Sequence, residues 1–208
     1  MNRLQRLLLM AGVLSLAALP VPACAQDEFA RDAARLVTAL ELRPGQTIAD
    51  IGAGGGQLAV ALARTVGPSG RVYATELEED RRDDIREAAE SAALKNVTVL
   101  EAQATRTNLP EQCCDALVMR RVYHHVADVR AMNASMRQSL KPGGLLAILD
   151  FDPDSAESAD PAERDVGEQH GVTSATVARE LREAGFEVVA IEKGDRADRY
   201  LVVARSPS

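Results

Sequence analysis

Thr47-Ile48-Ala49-Asp50-Ile51-Gly52-Ala53-Gly54-Gly55-Gly56-Gln57-Leu58 is the stretch that decides the fold of this chain. An apolar run carries one acid near its end, passes through alternating glycines, and opens into Leu58-Ala59-Val60-Ala61-Leu62-Ala63. The run reads as a strand, the glycines as a tight loop, and the apolar stretch beyond them as the start of a helix. Such a loop turns backbone N–H groups toward a nucleotide-like ligand. Glycine is required wherever the backbone takes positive φ or a ligand approaches closely. The acid at the strand's carboxyl end then bears on which ligand.

Outward from the loop, the chain alternates. Upstream, Glu28 to Leu40 carries Phe29, Ala33, Leu36, Val37 and Leu40 at helical spacing, which predicts an amphipathic helix. Leu42-Arg43-Pro44-Gly45 is a turn. Downstream, Arg71 to Glu76 reads as a strand, Glu78 to Ala92 as a charged-faced helix, and Val97 to Glu101 as a strand. Asp115 to Arg121 is a further strand and Val129 to Leu140 a helix. The turn Lys141-Pro142-Gly143-Gly144 then leads into the buried strand Leu145 to Phe151. Strands alternating with helices imply a parallel sheet covered on both faces.

The last part changes style. Thr173 to Ala184 reads as a helix closed by Gly185, with Thr173 or Ser174 as its N-cap. Phe186 to Glu192 and Tyr200 to Ala204 are strands joined by a polar turn at Gly194-Asp195, hence an antiparallel pair at the sheet's edge. The expected architecture is α/β: a Rossmann-like three-layer sandwich around a mostly parallel seven-stranded sheet with an antiparallel C-terminal edge hairpin. Between the two parts, Asp152 to Gly171 is rich in Asp, Glu, Ser and Pro and lacks hydrophobic periodicity. It reads as a loop, and His170 within it could fold over a site as part of a lid.

Composition excludes several functions. The 208 residues suffice for one domain with a substantial core. The net charge is −7 and no basic block occurs, which argues against nucleic acid as the partner. Residues 1–25 differ from the rest. Arg3 and Arg6 precede an almost wholly apolar run from Leu7 to Leu19, Pro20 and Pro22 break it, and Ala23-Cys24-Ala25 supplies small residues. This predicts a signal peptide over 1–25, cut before Gln26, a single domain over 26–208, and a periplasmic or secreted product. A lipid anchor at Cys24 is the alternative, and no second run is long enough to span a membrane. Cys113 and Cys114 read as two small hydrophobes at a strand start, with a vicinal disulfide as the alternative in an oxidising compartment. No Cys/His spacing resembles a zinc site, so no metal is expected.

The acid sharpens the ligand. Asp50 would repel a pyrophosphate but could attract an ammonium. In the Gly-x-Gly-x-x-Gly pattern of nicotinamide and flavin enzymes, the last glycine would fall on Gln57. The order Asp50-x-Gly52-x-Gly54-x-Gly56 instead resembles the first motif of class I S-adenosylmethionine (SAM)-dependent methyltransferases. That resemblance implies that the glycine loop packs on the methionine and ribose moieties and that Asp50 supports the cofactor's amino group. Glu76 ends its strand 26 residues after Asp50, where a carboxylate accepts both ribose hydroxyls. Leu100-Glu101-Ala102-Gln103-Ala104 stands where the family often has Gly-Asp-Ala, so Gln103 and Ala104 would meet the adenine, Gln103 without the usual charge. The segment Cys114 to Val126 looks like the family's fourth strand and its exit, and Leu140 to Leu145 like the turn before its fifth strand. Read without the family, Asp50 is a cap for the next helix and Glu76 a solvated acid at a helix start.

The resemblance implies methyl transfer from SAM to a small-molecule substrate. A general base is needed only when the nucleophile must lose a proton. Tyr123, His124 and His125, on the exit of the fourth strand, are the expected catalytic cluster, and packing under the sheet or helix capping is the alternative. Asp150, Asp152 and Asp154 could meet a cationic group or be loop acids. Two other functions stay open: a SAM-binding protein without catalysis, and an NAD-type oxidoreductase.

Overall fold

The computed structural model describes residues 23–164, 170–194 and 198–208. The strands are β1 (Thr47–Ile51), β2 (Arg71–Glu76), β3 (Val97–Glu101), β4 (Cys114–Arg120), β5 (Leu140–Phe151), β6 (Glu187–Lys193) and β7 (Arg199–Arg205). They form one sheet in the order β3-β2-β1-β4-β5-β7-β6. The helices are α1 (Ala23–Ala39), α2 (Gln57–Val66), α3 (Glu79–Ser91), α4 (Val129–Ser139) and α5 (Ser174–Glu183).

Apolar residues on neighbouring positions of each central strand feed opposite cores, as a sheet with both faces covered demands. Ile48, Val118, Ala147 and Val203 pack with Leu36 of α1, Leu40 just after it, and Leu58, Leu62 and Val66 of α2. Ala49, Met119, Ile148 and Val202 pack with Met132 and Met136 of α4 and Val177 and Leu181 of α5. Asp128 caps α4 by accepting the Ala131 N–H at 3.0 Å, and Thr173 caps α5 by accepting the Thr176 N–H at 3.2 Å.

The expected helices and strands form, with differences that have physical causes. Lys141-Pro142-Gly143-Gly144, expected as a turn, lies within β5 as a bulge, where Cys114 pairs with Leu140 but Ala116 with Leu145 and Gly143 takes φ of +73°. Only β7 is antiparallel to its neighbours, and it inserts between β5 and β6. The hairpin's first strand, not its second, is therefore the edge. Part of the Gly194-Asp195 turn lies outside the described residues. So do residues 1–22 of the expected signal peptide, and the expected cut before Gln26 falls within the first turn of α1. Cys113 and Cys114 are joined by a vicinal disulfide, so the reading as two separate hydrophobes is corrected, although Cys114 is also fully buried.

The described part of Asp152–Gly171 is not a free loop. Glu157 accepts from the Thr173 hydroxyl and the Thr176 hydroxyl, each at 2.8 Å. Arg164 is buried, and its guanidinium donates to Glu180 at 2.7 and 3.2 Å. A charge that deep is tolerated because it is paired across two hydrogen bonds. The segment is stitched to α5.

Candidate functional site

Parallel strands reverse their order between β1 and β4, and ligands in open α/β sheets bind outside the strands' carboxyl ends at such a point. The glycine loop leaves β1 there. Gly52 has φ of +70°, and a Cβ on it would come within 2.6 Å of a Val122 methyl. That close approach presses the loop against the chain leaving β4.

Two carboxylates stand behind this loop. Asp50 is buried, and the backbone N–H of Ala59 in the first turn of α2 favours its ionised form. Its Oδ2 has no hydrogen-bond partner among the described residues. Burial pushes its carboxyl up to about 7, with Glu76 adding to the rise and Arg120 opposing it. An unpartnered buried carboxylate oxygen is costly, and a cationic ligand group is what relieves it. Glu76 spans the loop: its Oε2 accepts the Gly54 N–H at 2.9 Å and its Oε1 the Leu77 N–H at 2.8 Å. Gln103 and Ala104 are exposed just past β3, with Gln103 and Arg106 exchanging two backbone hydrogen bonds. The residues expected at the cofactor thus share one edge of the sheet.

The exit of β4 carries the rest. Arg121 adopts φ of +56°, a strained backbone for a side-chain-bearing residue, and its N–H is held by the Leu149 carbonyl at 2.8 Å. A single 3₁₀ turn, Tyr123–His125, follows. The expected cluster separates there. Tyr123 is fully buried in the core under α4, where its hydroxyl accepts from Asn133 Nδ2 at 2.9 Å. Burial, with Glu180 nearby, pushes its hydroxyl well above the usual phenol range. The place it occupies is structural, which does not fit the expectation that it orients an acceptor.

His124 and His125 do face a cleft. His124 Nδ1 lies 2.8 Å from Oδ1 of the fully buried Asp150, whose oxygens also accept the backbone N–H groups of His124 and Phe151. With Nδ1–H given to the carboxylate, Nε2 carries the lone pair. His170 Nε2 stands 3.0 Å from it. Asp150 therefore serves His124, whereas Asp152 and Asp154 lie beyond β5. Val172, two residues past His170, is tied down: its N–H reaches the Phe151 carbonyl at 3.1 Å and its carbonyl accepts the Tyr200 hydroxyl at 2.6 Å.

The cleft, about 390 Å³, is lined by Arg121, His124, His125, Phe151, His170, Asp198 and Arg199. Larger clefts near Gly67 and Asn96 and between α4 and α5 gather neither the glycine loop nor the histidines. Along one side, Glu28 of α1 bonds Arg121 and, at 2.5 Å, Arg199, while Asp32 takes Arg120 Nε at 2.6 Å. Burial alone would raise the Glu28 carboxyl, but Arg121, Arg199 and Arg120 outweigh it and hold it below the usual carboxylate range. Neither the His124–Asp150 pair nor this arginine group is visible as a spacing in the sequence.

A glycine loop at the switch point, an unpartnered buried acid behind it and a second acid at the end of β2 define a nucleotide-cofactor protein built for a cationic ligand. Residues 49–148 match the family described as "Methyltransferase domain". The ubiquinone/menaquinone biosynthesis C-methyltransferase UbiE of Vibrio cholerae is 33% identical over 113 residues, covering 52% of this chain and 42% of that protein. The chain spans about half, or less, of the length of the curated relatives it matches. A SAM-dependent methyltransferase of Aquifex aeolicus has a TM-score of 0.73 at 25% identity, with 84% of this chain and 89% of that one covered. Phosphoethanolamine N-methyltransferase 2 of Haemonchus contortus, solved with SAM, shares the fold: TM-score 0.71 at 14% identity, covering 86% and 53%. These likenesses support a class I SAM-dependent methyltransferase family for the chain, with SAM as the cofactor. The expected NAD-type alternative falls away with that assignment.

Proposed function

We propose that this protein transfers the methyl group of SAM to a small-molecule acceptor held in the cleft beside His124, and that it does so outside the cytoplasm after loss of residues 1–25. The observation that carries the reading is the His124–Asp150 pair. His124 stands on the segment whose Val122 packs against Gly52, with Asp150 reaching it from β5, so a proton acceptor lies next to the glycine loop.

SAM supplies the activated methyl; the chain's own residues hold, align and exclude water. Asp50 receives the cofactor's cationic amino end, Glu76 exchanges its backbone partners for the ribose hydroxyls, and Gln103 and Ala104 border the adenine. Asp150 fixes the His124 tautomer, and Nε2 takes the proton of an acceptor that must lose one. Arg121 and Arg199 on the cleft wall favour an acceptor with an anionic group. A second reading, SAM binding without turnover, is favoured by the signal-peptide pattern of residues 1–25, because SAM is made in the cytosol.

Calorimetry with SAM, S-adenosylhomocysteine and NAD, beside Asp50→Ala, tests the cofactor assignment; binding of NAD alone overturns it. Labelled-methyl transfer across an acceptor panel separates turnover from binding. Cell fractionation tests the compartment, where a full-length cytosolic product refutes export.

A further inference from the structure

Three imidazoles that lie far apart in the sequence meet at one point. One ring nitrogen each from His124, His125 and His170 lies within 4.8 Å of the other two. His124 is buried and its partners are exposed, so the group opens to the cleft on one side. Their rings pack together, with centroids 4.0 Å apart for His124–His125 and 4.7 Å for His124–His170. We propose that these three histidines bind one divalent transition-metal ion of the zinc class, with Asp150 behind His124 and one coordination position open to the cleft.

The chemistry of the donors points to that ion. Neutral imidazole suits zinc and its neighbours, and three protein ligands plus an open position is the arrangement of catalytic rather than structural sites. Tetrahedral bonds of 2.0–2.1 Å set nitrogen atoms about 3.3 Å apart. The His124–His170 pair at 3.0 Å is already near that spacing, and all three nitrogens lie within 4.8 Å of one another. Metal-bound histidines almost always give their other ring N–H to a carboxylate. Asp150, fully buried and 2.8 Å from His124 Nδ1, is placed as such a partner. The guanidiniums of Arg121 and Arg199 would oppose a cation here, but Glu28 bonds both and Asp198 lines the same cleft.

With an ion on Nε2, His124 no longer accepts a proton. The ion instead lowers the pKa of an oxygen or sulfur held at its open position. That use rests on the methyl-transfer reading; binding of the ion does not.

The test uses the full chain, stripped with a chelator and dialysed, then titrated with zinc by calorimetry and with cobalt by visible absorption. One equivalent of zinc and the intense absorption of four-coordinate cobalt are expected. Because His124 is buried, the exposed sites carry the test: His170→Ala and His125→Ala should each weaken zinc at least about 100-fold and lose the cobalt absorption. Asp150→Asn should weaken zinc about 10–100-fold. Substoichiometric zinc in the wild type, or zinc affinity unchanged in the His125→Ala/His170→Ala double variant, overturns the proposal. SAM titrated into the same stripped protein keeps the readings apart: SAM binding without zinc binding sinks only the metal site, and zinc binding without SAM binding sinks only the cofactor reading.

Discussion

Cofactor binding should depend steeply on pH because Asp50 is ionised only in part near neutrality. Its carboxyl is pushed up to about 7 by burial, and Oδ2 has no partner. If SAM pairs with the ionised form alone, apparent affinity follows the ionised fraction. That fraction is about 0.1 at pH 6 and about 0.9 at pH 8, so binding should tighten about tenfold, or about 1.4 kcal/mol, over that range. At pH 7 the site should release about half a proton per SAM bound, which calorimetry in two buffers of different ionisation enthalpy reads directly. Stability of the free protein should move the other way. A carboxyl raised on folding contributes below its unfolded value, and that contribution is lost as pH rises through the folded one. Asp50→Asn removes the titrating group, so it should bind SAM weakly with a flat profile, which separates Asp50 from the nearby histidines. A flat wild-type profile, or an unchanged slope in Asp50→Asn, refutes the reasoning.

Other substitutions probe neighbouring parts. Gly52→Ala adds a Cβ at +70° and 2.6 Å from Val122, so it should cost about 2–4 kcal/mol and abolish SAM binding. Gly54→Ala meets no atom within 4 Å and should lose only about 1 kcal/mol while still blocking the cofactor, as thermal melts with and without SAM would reveal. Arg164→Ala removes the two-bond partner of half-buried Glu180, leaving Arg179 at 3.7 Å, and urea unfolding should report a loss of about 1–3 kcal/mol. Tyr123→Phe strands the Asn133 donor and should cost about 1–3 kcal/mol, with SAM affinity unchanged. Glu28 is held below the carboxylate range, so its contribution is present above the unfolded value and fades as pH falls. Glu28→Gln should lower the Tm at neutral pH and flatten the acid limb of the Tm profile.

Much of the fold was legible because its determinants are local. The run into Asp50, the glycines after it and the Thr173 cap each act within a few residues, and each forms as expected. The position of β7 was not legible, because hairpin chemistry specifies that two strands pair but not which one meets β5. The glycine loop and the acids at the ends of β1 and β2 were readable as a motif. The acceptor side was not, since His124, Asp150 and His170 are joined only by the crossing of separate segments, and this is why no ligand spacing for a metal was visible. Tyr123 misled because a phenol beside two histidines looks polar, while its hydroxyl is spent on Asn133 inside the core. Arg164 had no signal in the sequence: it lies in an acidic stretch without hydrophobic periodicity, yet it is among the most deeply buried side chains described.

The contact between Gly52 and Val122 makes the two halves of this reaction centre share a wall one side chain thick. A larger residue at either position would take its volume from the other compartment, narrowing the seat for the methionine end or displacing the turn that carries His124. On the proposed reading, acceptor preference could not be retuned at position 122 without cofactor affinity shifting as well. A library aimed at new acceptors would do better to leave Val122 fixed and vary the far wall, at Phe151, Asp198 and Arg199.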